Sequence, residues 1–139
     1  PVSDNFEDFI PNSEIIIITV PTPVTYEKEP DLSYLNSAIS SVIENLIAGD
    51  CPTIVIESTV YPGVSNSLVG EISRVLGKEE GIDFHLSYCP ERVSPGSANS
   101  DINEVDRVIG ANSAQIGEEM QHFYADVLGV NVFLCSSFS

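Results

Sequence analysis

Three features of this sequence predict a doubly wound α/β fold, a Rossmann-like parallel sheet covered by helices. β-Branched apolar runs recur along the chain, amphipathic stretches with helical spacing separate them, and the runs end in Pro, hydroxyl and acidic residues. Continuous apolar runs suit strands buried on both faces, and strands that alternate with helices suit a parallel sheet. With 139 residues, 42% of them hydrophobic, the chain can form one domain around one core.

The first strand is predicted over residues 14–20, "EIIIITV", and it stops at "PTP", where two prolines remove ladder donors. An amphipathic helix follows over residues 31–48. Leu35, Ile39, Val42, Ile43 and Leu46 recur on one face, Asp31 stands as N-cap, and Gly49 lies just past the end. "TIVIEST" is the second strand. A turn at Pro62-Gly63 leads to a second helix over 64–77, with Val64, Leu68, Ile72 and Leu76 on one face. The third strand, residues 83–89, runs into "PERVSPG", and residues 97–106 are polar enough for a surface loop. A short fourth strand, "DRVIGA", precedes a helix over 113–128 that carries Ile116, Met120, Phe123, Tyr124 and Leu128. "VNVFLCSS" closes the sheet.

The net charge is −16, with 21 acids against 5 Lys plus Arg. Nucleic acid and anionic membranes both need clustered cations, so neither is expected as a partner. Two lysines in so acidic a chain fit a high-salt habitat. Cys51, Cys89 and Cys135 are odd in number and widely spaced, which fits a reducing, cytoplasmic setting better than a disulfide framework. No apolar run approaches the ~20 residues a membrane span needs. The chain begins at Pro1 with no basic n-region, and it is expected to be a piece of something longer.

In parallel sheets ligands bind outside the carboxyl ends of the strands, near the point where strand order reverses. Here the three exits read "VPTP" (20–23), "ESTVYPG" (57–63) and "YCPERVSPG" (88–96), and together they suggest one site. "VPTP" is either a stiff loop that ends a strand, or a ledge whose backbone and Thr22 hydroxyl pack against a ring or ribose. Ser58 and Thr59 stand several residues too early to cap the helix near Val64. Glu57 is open between an edge acid with a structural partner and a contact to a ligand hydroxyl. Glu91, held behind Pro90 at the end of an apolar strand, is placed for general acid/base work, with a structural pairing to Arg92 as the alternative. Cys89 has no basic neighbour in sequence and reads as a small core residue. His85 and His122 have no second ligand at metal spacing, so no metal site is expected. G-x-G-x-x-G occurs nowhere, so half of a dinucleotide site is expected to be missing.

Taken in order, "IIIITVPTPV", "PDLSYLNSA", "IVIESTVYPG" and "YCPERVSPG" with "NEVDRVIG" resemble the amino-terminal domain of the UDP-glucose/GDP-mannose 6-dehydrogenase family. The similarity runs over nearly the whole chain. That family oxidises C6 of a nucleotide-linked hexose from alcohol to carboxylate, in two hydride transfers to NAD+, through a cysteine-bound thiohemiacetal and thioester. The resemblance implies NAD as cofactor, a UDP-sugar as substrate and a homo-oligomeric complete enzyme. It implies that Val20, Pro21, Thr22, Pro23 and Val24 line the adenosine side of NAD, and that Ser58, Thr59 and Val60 lie at the nicotinamide ribose. Thr59 also matches the hydroxyl that orients water or the substrate oxygen. Glu91 falls on the acid/base glutamate, and Glu91, Arg92, Val93, Ser94 and Pro95 fall on the segment that contacts the sugar. Thr59 and Glu91 are therefore the catalytic candidates.

The departures from the family pattern are informative. In the UDP-glucose branch the segment after the glutamate is Phe-Leu-x-Glu-Gly, whereas Arg92-Val93-Ser94-Pro95-Gly96 lacks the second acid. "PER-x-x-PG" looks more like the branch that acts on UDP-N-acetylated hexosamines, such as UDP-N-acetylmannosamine. The family's first βαβ half with its Gly-rich turn, its central helical domain and its substrate domain with the nucleophilic Cys have no counterpart in the 139 residues. The resemblance thus implies a partial NAD-binding domain with no turnover of its own. Two other readings stay open: a nucleotide-binding or assembly module without chemistry that self-associates through a bare strand edge, and another Rossmann-type dehydrogenase, such as a 3-hydroxyacid enzyme.

Overall fold

The computed structural model describes residues 5–91 and 105–135. After two short 3-10 turns, Phe6–Asp8 and Ile10–Asn12, five strands and three helices follow: β1 Ile15–Ile18, α1 Ser33–Glu44, β2 Thr53–Ile56, α2 Val64–Leu76, β3 His85–Tyr88, β4 Arg107–Ala111, α3 Ala114–Leu128 and β5 Val132–Leu134. Every strand and helix expected from the sequence is present, each with shorter bounds. The sheet is built in chain order, β1-β2-β3-β4-β5, with no reversal of strand order among the described strands.

Strands β1, β2 and β3 are parallel, with Ile15 beside Thr53 and Thr53 beside His85. β4 departs from the all-parallel expectation. It runs antiparallel to β3, with Ser87 opposite Ala111 and Tyr88 opposite Gly110, and β5 is parallel to β4. This reversal explains the layering. Crossovers between parallel strands are right-handed, so turning the strand direction while continuing along the sheet sends the connecting helix to the other face.

One face carries Ile18, Ile54, Ile56 and Leu86 against α1 and α2, whose Leu35, Ile39, Ile43 and Val69 complete that core. The opposite face carries Val55, Cys89 and Ile109 against Ile116, Met120 and Tyr124 of α3. The period-2 alternation of side chains assigns the strand residues to the two faces. Val55, between Ile54 and Ile56, is as fully buried as they are, because β2 is covered on both sides.

The helix ends follow from local chemistry. The N-cap of α1 is Leu32, one residue after the expected Asp31, and it makes no side-chain cap bond; Asp31 Oδ1 still accepts the Ser33 N–H at 3.0 Å, and the Ser33 hydrogen bonds hold its carboxyl below the ordinary value. α1 stops at Glu44, earlier than its apolar spacing suggests. Asn45 donates from its side chain to the Ser41 carbonyl at 2.8 Å, and the next backbone bonds tighten to i→i−3, from Asn45 to Val42 and from Leu46 to Ile43. Leu46 is still buried, outside the helix. On α2 the fully buried side is Val64, Ser65, Val69 and Ser73, while Leu68, Ile72 and Leu76 are partly buried against the core. Ser113 caps α3 by accepting the Ile116 N–H at 3.2 Å.

Candidate functional site

Because β1, β2 and β3 run parallel, the segments after Ile18, Ile56 and Tyr88 leave the sheet at one edge. Hydrogen bonds lace these exits together. Thr22 Oγ1 donates to the Thr59 carbonyl at 2.8 Å, and Ser58 Oγ donates to the Val20 carbonyl at 2.7 Å. The Glu91 N–H donates to the Glu57 carbonyl at 3.2 Å, and the Tyr88 hydroxyl lies 3.4 Å from the Val60 N–H and carbonyl. The first exit is thereby tied to the second, and the second to the third.

Neither Ser58 nor Thr59 caps α2. That helix starts from Gly63, whose φ of 86° follows Pro62 in a tight turn closed by the Val64 N–H to the Tyr61 carbonyl. Pro then Gly at the two central positions, with a positive φ at the second, is the pattern of a type II turn.

The side chains divide by what remains free. Thr22 and Ser58 have committed their protons to carbonyls, so toward a ligand they can only accept. Thr59 is exposed, and no described residue hydrogen-bonds its hydroxyl. Pro21, Pro23 and Val24 form an exposed apolar ledge beyond β1, with Val24 69% accessible, while Val20, Thr22 and Val60 are half-buried. An apolar ledge beside one free hydroxyl, at the carboxyl edge of a parallel sheet, fits a flat ring joined to a ribose.

Below the exits, toward α3, lies a polar cluster in an otherwise apolar layer. Glu57 accepts the Tyr124 hydroxyl at 2.5 Å, so its carboxylate serves the joint between sheet and helix. Cys89 is fully buried beside it, and burial, then the negative charge of Glu57, pushes its thiol up to about 12. The Tyr124 hydroxyl is raised well above its ordinary value by burial and by that same hydrogen bond. Cys89 is held as a thiol in this setting, which agrees with its reading as a core residue. Glu91 is paired with Arg107, Nη2 to Oε2 at 2.5 Å. The sequence reading missed both Arg107 and the Tyr124 hydroxyl. The available signal for the first was an Arg opening the apolar strand "DRVIGA", and for the second a hydroxyl on the buried face of a helix. Arg92, Val93, Ser94 and Pro95 lie outside the described residues.

A cleft of about 760 Å³ opens at the opposite edge of the sheet, where Glu14, Thr53, His85 and Glu119 contribute to its walls. Strand polarity, not cleft size, selects the exits as the candidate site. Among the described residues no three His, Cys, Asp or Glu side chains converge on a common point as metal ligands.

Residues 2–128 match the family described as "UDP-glucose/GDP-mannose dehydrogenase family, NAD binding domain". The chain is 39% identical over 92 residues to the UDP-N-acetyl-D-mannosamine dehydrogenase of Pyrococcus horikoshii, covering 66% of this chain and 21% of that protein. It is 33% identical over 122 residues to the UDP-N-acetyl-D-glucosamine 6-dehydrogenase of Salmonella typhi, covering 87% of this chain and 28% of that one. The solved structure of the Pyrococcus horikoshii UDP-D-ManNAc dehydrogenase superposes on 99% of this chain with a TM-score of 0.83 at 33% identity, and the match covers 32% of that structure. The chain therefore spans between about a fifth and a third of the length of these relatives.

Proposed function

Because this chain belongs to the UDP-glucose/GDP-mannose dehydrogenase family, through its NAD-binding domain, we propose that it is the part of an NAD-dependent nucleotide-sugar 6-dehydrogenase where nicotinamide ribose and sugar meet. The observation that carries this is the lacing of the exits, Thr22 to Thr59 and Ser58 to Val20, which makes one continuous surface of two loops 37 and 38 residues apart. Val20 to Val24 would hold the adenosine side of NAD, and Ser58, Thr59 and Val60 the nicotinamide ribose. When bound, NAD+ supplies a hydride acceptor.

The chain's own residues do the rest. The exposed Thr59 hydroxyl orients the reacting oxygen or a water, and Glu91 moves a proton at the C6 oxygen. Conversion of the C6 alcohol to a carboxylate consumes one water and two NAD+ and yields two NADH and three protons, so charge and hydrogen balance. The substrate class we assign is a UDP-N-acetylhexosamine. It is supported by Arg92-Val93-Ser94-Pro95-Gly96, where the second acid of the UDP-glucose branch is absent, and by relatives named for UDP-N-acetyl-D-mannosamine and UDP-N-acetyl-D-glucosamine. The complete enzyme is read as a cytoplasmic homo-oligomer, with three free thiols that suit a reducing compartment. The 139 residues alone, which contain no G-x-G-x-x-G, are expected to show no turnover.

The test expresses the complete coding sequence that contains these residues and follows NADH formation with UDP-N-acetylmannosamine, UDP-N-acetylglucosamine, UDP-glucose and GDP-mannose. One of the N-acetylated sugars is expected to lead in kcat/KM by about tenfold or more, the scale at which pocket contacts discriminate. Preference for UDP-glucose or GDP-mannose would overturn the substrate class. Absence of NADH with all four would overturn the dehydrogenase reading.

A further inference from the structure

The antiparallel turn of the sheet at β4 does more than reposition a helix. In the β3–β4 ladder Ser87 faces Ala111 and Tyr88 faces Gly110. Continuing that register brings Cys89 opposite Ile109 and Glu91 opposite Arg107. Residues directly opposite in an antiparallel pair have side chains on the same face within reach of each other, and the Arg107 Nη2 to Glu91 Oε2 contact is the result. Had β4 run parallel to β3, its first residue would lie at the far edge of the sheet from Glu91.

The two partners are unequally placed. Arg107 is 1% exposed in its side chain and Glu91 33%, so a sunken guanidinium faces a carboxylate at the crevice surface. The Nε and Nη1 of Arg107 are buried and have no hydrogen-bond partner among the described residues. Burying a guanidinium is costly, and a buried ion pair often adds no more stability than apolar packing of similar volume. An apolar residue would serve folding better at position 107. What an immobile guanidinium beneath a half-exposed carboxylate does provide is direction, because its planar fork fixes the orientation of the acid it binds.

We propose that Arg107 is the positioning residue of Glu91, holding its carboxylate at the third strand exit in the orientation the proton transfer needs. The proposal rests on the dehydrogenase reading above. Arg107 touches no substrate in this account and acts through Glu91 alone. A purely structural role, fastening β4 to β3, makes different predictions.

The experiment uses the complete enzyme and compares wild type with Glu91→Gln, Arg107→Met, Arg107→Lys and the Glu91→Gln/Arg107→Met double variant. Arg107→Met is expected to lower kcat by about 10²-fold, the scale of misplacing a reacting group by an ångström, with KM for NAD+ within about twofold. Arg107→Lys, which keeps the charge, should recover part of that loss. In the Glu91→Gln background Arg107→Met should have no further effect on kcat. Losses that multiply in the double variant, or an Arg107→Met kcat within about twofold of wild type, would overturn the proposal. If Arg107→Met does not fold, the double variant, which removes both charges, decides. A kcat equal to that of Glu91→Gln supports positioning, and a lower one rejects it. Wild-type protein inactive on every nucleotide sugar would instead reject the dehydrogenase reading itself.

Discussion

Cys89 and Tyr124 show how one carboxylate sets the chemistry of its surroundings. Glu57 sits between a buried thiol and a buried phenol, and both are held protonated by burial and by its charge. The exposed Cys51 and Cys135 should therefore react with iodoacetamide in the native protein, while Cys89 should not until the chain unfolds; mass spectrometry of the labelled protein reads this directly. A pH dependence follows as well. The folded Cys89 value, about 12, lies above the ordinary 9.0. The unfolded chain releases this proton first as pH rises, so the stability is fully present below about pH 9 and is lost progressively above it. Urea midpoints should hold steady from neutral pH to about pH 9 and then fall, and Cys89→Ala should fall less steeply. Tyr124→Phe removes the bond to Glu57 and should cost roughly 1.5–3 kcal/mol, the range for a hydrogen bond to a charged group, measured by urea unfolding at neutral pH.

At the scale of elements, the exits owe their arrangement to side-chain-to-backbone bonds between loops. Ser58→Ala deletes the bond to the half-buried Val20 carbonyl. The expected loss is about 0.5–1.5 kcal/mol of stability, with weaker NAD+ binding by the complete enzyme; unchanged affinity would separate the lacing from the ligand site. Much of this layer was legible in the sequence. "EIIIITV" before "PTP" and "TIVI" before "EST" read as strands because β-branched runs have few alternatives, and the spacing of Ile116, Met120, Phe123, Tyr124 and Leu128 marked the last helix. Three things were not legible. Leu46 continues the helical spacing although Asn45 has already diverted the backbone, so periodicity overran the end of α1. The direction of β4 carries no local signature, because "DRVIGA" would read the same either way. Arg107 was overlooked for that reason: its meaning depends on a cross-strand neighbour 16 residues away, and only the antiparallel register supplies it. The exits themselves were found because Pro, hydroxyl and acid are unusual ends for strands, while the bonds that join them needed coordinates.

At the scale of the whole molecule, charge dominates. Against a net charge of −16, the ion pairs among the described residues are Lys78 with Asp83 and Glu91 with Arg107. Acids such as Glu7, Asp8, Glu44, Glu71, Glu118 and Glu119 face solvent. Their mutual repulsion opposes the compact state and is screened by salt. Raising NaCl from about 0.05 M, where the screening length is above 10 Å, to about 1 M, where it is near 3 Å, should raise the urea midpoint of the chain. A flat response would mean that the acids are too far apart to matter. The family assignment also lives at this scale, since residues 2–128 match a domain whose relatives are three to five times as long as the matched share.

The central claim is that the laced exits belong to an enzyme that carries C6 of a nucleotide sugar through both oxidation steps. The most direct test is the stoichiometry of NADH formed per UDP-N-acetylhexosamine consumed by the complete enzyme, read by absorbance against chromatographic loss of substrate. This account predicts two NADH per sugar, with a uronate as product. One NADH per sugar, with an aldehyde or ketone as product, would contradict it.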